Sequence, residues 1–279
     1  MKPKLVSALQ DAASGTGNKI DEVKSKNVPS HKAKIVDIKW VSHEWEVEKR
    51  ALHYTMASKS KETNQFVSLS EDGQIMIWDI RIPGDKELEE YSWKALFSIQ
   101  LVRPEGAGLM GGSNLIFDNK KGLTRPILYG VSDEGELFTF DWTLKLSEDV
   151  TKVEHVTRVW GHERDYRPCH GLDISPFCED TILTIHDYHF CVWRADCNVP
   201  VFTSMNYENT WLTCGCFSPT RPGVIVIGRS DGNIDFWDLT DQSHKPIIVF
   251  QVAPKGVASL RFQRRTPYIL VTVIVYELT

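Results

Sequence analysis

From residue 34 onward the chain is dominated by short runs in which apolar and polar positions alternate. "QFVSLS" (65–70), "TILTIH" (181–186) and "GVIVIGRS" (223–230) are rich in β-branched and aromatic residues, and small polar clusters carrying Asp or Gly separate such runs. A period of two with this punctuation predicts strands joined by tight hairpins. No segment sustains a helical period. Two hairpins nearly coincide: "SEDGQIMIWDI" (70–80) and "SDGNIDFWDL" (230–239).

Alignment on the aromatic residue that closes each hairpin gives four units, anchored at Trp78, Phe140, Trp193 and Trp237 and spaced 62, 53 and 44 residues apart. The last spacing is near the ~40–45 residues of a bare four-stranded repeat, so the longer two imply inserted loops. Each unit has the same internal order. A first strand ("KIVDIKWV", "SNLIFD", "HGLDISPF", "WLTCGCFSP") precedes a second ("QFVSLS", "PILYGVS", "TILTIH", "GVIVIGRS"). Then come the turn, the anchored third strand and a fourth ("KALFSIQL", "VTRVW", "VFTSM", "IIVFQV"). The units span about 31–81, 93–143, 156–195 and 200–240. A fifth, 246–279, starts with "GVASLRFQ" and then loses its Asp-Gly turn in the apolar tail "YILVTVIVYELT".

One four-stranded sheet cannot bury both of its faces, but sheets stacked around an axis cover one another. The expected fold is therefore all-β: a β-propeller of four clear four-stranded blades plus an incomplete fifth, in an open arc. Residues 1–30 are expected to hold a lone strand, "PKLVSAL" (3–9), and a disordered polar insertion. Segments 43–64 and 82–92 leave the repeat and are expected to be solvated loops, as is the Gly-rich "EGAGLMGG" (105–112), which lacks the Gly-Lys-Ser/Thr end of a phosphate loop.

The bulk composition narrows the partners. The formal charge of −5 and the lone small basic cluster "RFQRR" (261–265) argue against nucleic acid. No run approaches the ~20 apolar residues of a membrane span. The N-terminus has no secretory h-region. The six cysteines show no C-x-x-C spacing, which favours free thiols over structural zinc. His186 and His189 flank the third hairpin without a third ligand nearby in sequence, so no metal is expected.

A few polar residues recur at fixed offsets. His31, Ser68, Asp72 and Trp78 form the full set in the first unit. The third repeats His162, Asp187 and Trp193 with Leu183 at the serine offset; the fourth repeats Asp231 and Trp237 with Ile227 there. His, Ser and Asp together suggest a nucleophilic triad. A nucleophile is not built once per blade, however, whereas a network that satisfies buried donors is. These residues are expected to be structural, with no catalytic, cofactor or metal site.

"SHKAKI", "GHERD", "SEDGQIMIWD" and "SDGNIDFWD" resemble the Gly-His and Trp-Asp ends of WD repeats. "FSPTRPGVIVIGRSDGNIDFWDLTDQSHKPI" (217–247), with "SHKAKIVDIKWV" (30–41) and "GLDISPF" (171–177), is similar to the dynein intermediate chains. The long inserts and "FCVWR" (190–194) resemble the axonemal inner-arm branch. That family implies a seven-bladed propeller, here present in part. It also implies a non-catalytic scaffold that docks a dynein heavy chain through blade rims and loops, in the cytoplasm and cytoskeleton of cilia and flagella. Arg221, in the family-like run, is the candidate rim anchor. The family's light-chain-binding N-terminal extension has no counterpart here, which puts light-chain binding in doubt. The competing expectation is an adaptor of another assembly: ciliary transport, cytoplasmic dynein or a ubiquitin-ligase receptor. A propeller enzyme would need carboxylates or metal ligands converging at repeating offsets, and none recur.

Overall fold

The structure is a computed structural model that describes residues 30–42, 45–47, 54–56, 63–81, 95–104, 108–118, 127–140, 151–156, 158–161, 167–178, 180–263 and 265–274. These hold twenty-one strands and no α-helix. The expected lone strand at 3–9, the polar stretch that follows it, segment 82–92 and "HERD" (162–165) lie outside the described residues.

In chain order, β1 (Ile35–Trp40) is followed by a small hairpin, β2 (Trp45–Val47) and β3 (Tyr54–Met56). Then come β4 (Gln65–Ser70), β5 (Gln74–Asp79) and β6 (Ala95–Val102). The second unit contains β7 (Asn114–Asp118), β8 (Ile127–Val131), β9 (Leu137–Phe140), β10 (Thr151–His155) and β11 (Arg158–Trp160). The third contains β12 (Cys169–Ile174), β13 (Thr181–His186), β14 (Phe190–Arg194) and β15 (Phe202–Thr203). The fourth contains β16 (Leu212–Phe217), β17 (Val224–Arg229), β18 (Asn233–Asp238) and β19 (Ile248–Gln251). A final hairpin pairs β20 (Val257–Phe262) with β21 (Leu270–Ile274).

Each unit is one antiparallel meander, with strand orders β1-β4-β5-β6, β7-β8-β9-β11, β12-β13-β14-β15 and β16-β17-β18-β19. These are the blades, numbered one to four. Because side chains alternate across a strand, each blade has two apolar faces, and the core is a series of slabs between blades. Val67, Leu69, Ile75 and Ile77 of blade one meet Leu115, Leu128 and Phe138 of blade two. Tyr129 and Val131 meet Ile182, Cys191 and Trp193 of blade three. Leu183, Ile185 and Phe190 meet Ile225, Ile227 and Trp237 of blade four. Val226 and Ile234 meet Val257 and Leu260 of the last hairpin. At about 1.5–3 kcal/mol per buried large aliphatic or aromatic side chain, blade stacking is the main stabilising term.

The anchoring tryptophan always faces the preceding blade. Trp193 and Trp237 are therefore buried. Blade one has no predecessor among the described residues, and its equivalent face leaves Trp40 56% and Ile38 54% exposed. The other end of the arc is also uncovered. The last hairpin packs on β16 and β17, so β19 keeps Ile248 and Phe250 more than half exposed. Among the described residues the arc is not closed.

The joints between blades are close. Gly73 and Gly232, at φ +75° and +84°, sit in the turns of blades one and four. A Cβ at Gly73 would lie 1.8 Å from the Met110 carbonyl oxygen, and one at Gly232 2.0 Å from that of Ala253. Only glycine supplies both the left-handed backbone and the room for the loop entering the next blade.

Three expectations are corrected. The insert 43–64 contains the β2–β3 hairpin, and Val47 is buried against blade one because Gln65 brackets its backbone, accepting from Val47 N at 2.8 Å and donating to its carbonyl at 2.9 Å. The Gly-rich stretch 105–112 is packed where it is described: Met110 is buried and its N–H donates to the Leu101 carbonyl at 3.2 Å. Blade one also gains a fifth strand. β10 leaves blade two, pairs in parallel with β6, and the chain returns to blade two as β11.

Candidate functional site

The recurring polar residues lie at the turn end of the blades, where β-hairpin geometry fixes them. In blade one, register pairs Phe66 with Trp78 and Ser68 with Met76. Ser68 thus stands two residues from the cross-strand partner of the indole, on the same face. The Trp78 indole N–H donates to Ser68 Oγ at 2.7 Å, and Ser68 Oγ is hydrogen-bonded to His31 Nε2 at 2.6 Å. Asp72 is occupied within the turn: Ser70 donates to its carboxylate, as does the Gln74 backbone N–H at 3.3 Å. Asp72 acts on His31 only through space. Burial lowers the His31 pKa, and the Asp72 charge and the Gln74 side chain offset this only in part.

Blade three builds the same relay from other residues. Its turn holds two residues, Asp187 and Tyr188, because His186 N–H donates to the His189 carbonyl at 2.9 Å; the blade-one turn holds three. The register therefore moves by one, and Thr184, not Leu183, stands two residues from the cross-strand partner of the indole, on the same face. Trp193 N–H donates to Thr184 Oγ1 at 2.8 Å, and Thr184 donates to His186 Nε2 at 2.9 Å. His186 Nδ1 faces the Arg167 carbonyl at 3.3 Å, which sets the tautomer. His162 lies outside the described residues. Asp187 instead accepts from His170 Nε2 at 2.6 Å, a partner the sequence reading missed.

In blade four the hydroxyl position is Ile227, and the loop before β16 supplies what the strand lacks. Trp237 N–H donates to the Tyr207 hydroxyl at 3.1 Å, which donates to Asp235 at 2.7 Å. Asp235 is fully buried, and burial pushes its pKa up against the pull of Tyr207 and Arg229. The Asp231 carboxylate takes Arg229 at 2.5 Å and the Asn233 backbone N–H at 3.1 Å, and touches no histidine. Blade two has Phe140 and Glu134 at the corresponding places. There Arg103 pairs with Glu134 at 2.5 Å and Glu136 at 2.9 Å, tying the exit of blade one to the blade-two turn.

The same principle operates in three blades: an indole N–H must donate, and the hydroxyl that accepts is hydrogen-bonded in turn to His31, His186 or Asp235. Ser68 and Thr184 are buried within their sheets. First-strand carboxylates also hold neighbouring blades. Asp37 accepts from Leu115 N–H and Asp173 from Phe217 N–H, each at 2.8 Å. Burial raises the Asp173 pKa; the two backbone bonds and the nearby Arg261 and Lys39 charges oppose it.

Two surface features sit at opposite ends of β16. Before it, Trp211 is 54% exposed between two clefts of about 350 and 430 Å³, one lined by His170, Asp187 and Tyr188, the other by Ser230, Lys255 and Val257. After it, Arg221 is exposed in the Ser-Pro-Thr-Arg-Pro-Gly turn, whose Ser218 hydroxyl accepts from the Arg221 N–H at 3.2 Å. The Arg221 guanidinium is near Asp238, whose carboxyl is held below its usual range, first by Thr240 and further by that charge.

The comparisons with known proteins agree with this architecture. The sequence model for the dynein axonemal intermediate chain 3 WD40 domain matches residues 19–101 and 109–265. The zebrafish dynein axonemal intermediate chain 3 is 23% identical over 92% of this chain and 34% of its own length. The 70 kDa intermediate chain of the Chlamydomonas reinhardtii flagellar outer arm is 29% identical over 74% of this chain and 33% of its own. The human dynein axonemal intermediate chain 3 is 25% identical over 77% and 31%. The chain thus spans about a third of the length of these curated relatives. Blades built as WD repeats and a family match across most of the described residues lead to one assignment: the chain belongs to the axonemal dynein intermediate chain WD40 family.

Proposed function

We propose that this chain is a non-catalytic scaffold subunit of an axonemal dynein, of the inner-arm type, working in cilia or flagella. It holds a dynein heavy chain through blade rims and loops. The carrying observation is that the recurrent polar residues among the described ones hold sheets together, while the groups left on the surface suit protein contact. Trp211 between its two clefts and Arg221 at the opposite rim are residues of the types that dominate interface energetics. The relatives named axonemal intermediate chains support the motor assignment. On this reading neither nucleic acid nor membrane is a partner.

Tagged full-length chain expressed in a ciliated cell should co-purify with a named inner-arm heavy chain, and Trp211→Ala or Arg221→Ala should weaken that recovery several-fold. Absence of any dynein heavy chain, with a longer family member recovered in parallel, would remove the proposal. The outer-arm relative from Chlamydomonas favours a second reading, in which the heavy chain recovered is an outer-arm one.

A further inference from the structure

Blade three carries a group of side chains that the relay uses only in part. Register places Cys169 opposite His186, and Thr184 opposite Cys191, while His186 and His189 close the hairpin. With side chains alternating along each strand, Cys169, His186, His189 and Cys191 all project from one face, the face that meets blade two. All four are buried. The donor atoms of His186, His189 and Cys191 lie within 4.8 Å of one another, and Cys169 is close enough to sense the charge of Cys191. The cysteines are free thiols.

We propose that these residues form a metal site for a borderline-soft divalent cation of the zinc class, with His186, His189 and Cys191 as ligands and Cys169, register-paired with His186, as the candidate fourth donor. Two imidazoles and two thiolates are a donor set zinc takes in tetrahedral structural sites. Bond lengths of about 2.0–2.3 Å imply donor separations of about 3.3–3.8 Å, so the group must contract by about 1 Å. The two imidazoles now stack at 4.8 Å between centroids and 8° between planes. One ring must turn so that both lone pairs converge. His186 gives up its hydrogen bond to Thr184 or to the Arg167 carbonyl when it turns to the ion. Thiolate ligation requires that metal entry displace the thiol protons. Bound there, the ion would link the blade-three hairpin and its first strand at the joint with blade two.

The test uses the reduced full-length chain. Zinc titration followed by competition with a chelator should give one equivalent bound, and cobalt substitution should give a thiolate-to-metal charge-transfer band. Cys191→Ser and His189→Gln should each weaken binding by more than about 100-fold, since loss of even an outer-shell partner costs 10–100-fold. Cys178→Ser, at an exposed position, should leave it unchanged. Near-UV circular dichroism identifies any variant that fails to fold; His189→Gln alone then decides. Substoichiometric zinc, a cobalt complex without the sulfur band, or wild-type affinity in His189→Gln would each overturn the site.

Discussion

Blades one and four carry nearly the same hairpin sequence, yet they satisfy the same indole in different ways and in different surroundings. In blade one the acceptor is Ser68 on the adjoining strand, and the relay ends on His31. In blade four Ile227 occupies that place, and Tyr207 arrives from a loop to connect Trp237 to the buried Asp235. Blade four's relay is covered by blade three, and Trp237 is 2% exposed. Blade one's relay is only partly covered: Ser68 is buried, but His31 and Trp78 are half-buried, beside the exposed Trp40 and the Phe66–Trp78 stack at 6.1 Å. The turn motif therefore fixes where the indole is. It does not fix what receives its proton, nor how much water reaches it.

This contrast can be broken by truncation. Trp193→Ala and Trp237→Ala should each cost about 3–5 kcal/mol in chemical unfolding, as removal of a fully buried aromatic does. Trp78→Ala should cost clearly less, because water already reaches its face. Equal costs at all three sites would mean that another surface covers blade one in solution.

Tyr207→Phe comes next, at about 1–3 kcal/mol, since it leaves a buried indole N–H without its acceptor, while Asp235 loses one bond and keeps Arg229. Ile227→Thr in that background should recover part of the loss by rebuilding the hydroxyl at the blade-one register. No recovery would show that the register equivalence fails. Ser68→Ala should cost about 1–2 kcal/mol, with His31 and Trp78 each losing one bond. Hydrolase activity should be absent from both wild type and variant.

The smallest effect is a pH dependence confined to blade one. His31 has a folded-state pKa below its ordinary 6.5, so the unfolded chain binds more protons in the window between the two values. Stability should be present above 6.5 and fall as pH drops through the lower folded value. His31→Gln should flatten that component, read as the change in denaturation midpoint between neutral and mildly acid buffer.

Much of the fold was legible because alternation is a direct record of burial. The expected strands at 65–70 and 181–186 are β4 and β13 to the residue. The blade anchors follow from the aromatic that ends each third strand. Other features left no sequence signal. Thr184 was passed over because a fixed count back from Asp187 assumes a three-residue turn, and this turn has two. Tyr207 was hidden because a loop residue has no repeat position. The pairing of His170 with Asp187 joins residues from a first strand and a turn, which only the register brings together. β10 was missed because a strand that pairs with another unit's edge shows no order within its own.

That excursion of β10 bears on how the chain assembles. The outer rim of blade one is not complete until the polypeptide has passed through most of blade two and come back. Neither sheet can then finish alone. During synthesis the first two should mature as one cooperative block, slower than a single meander because its closing contact joins residues about fifty positions apart in sequence.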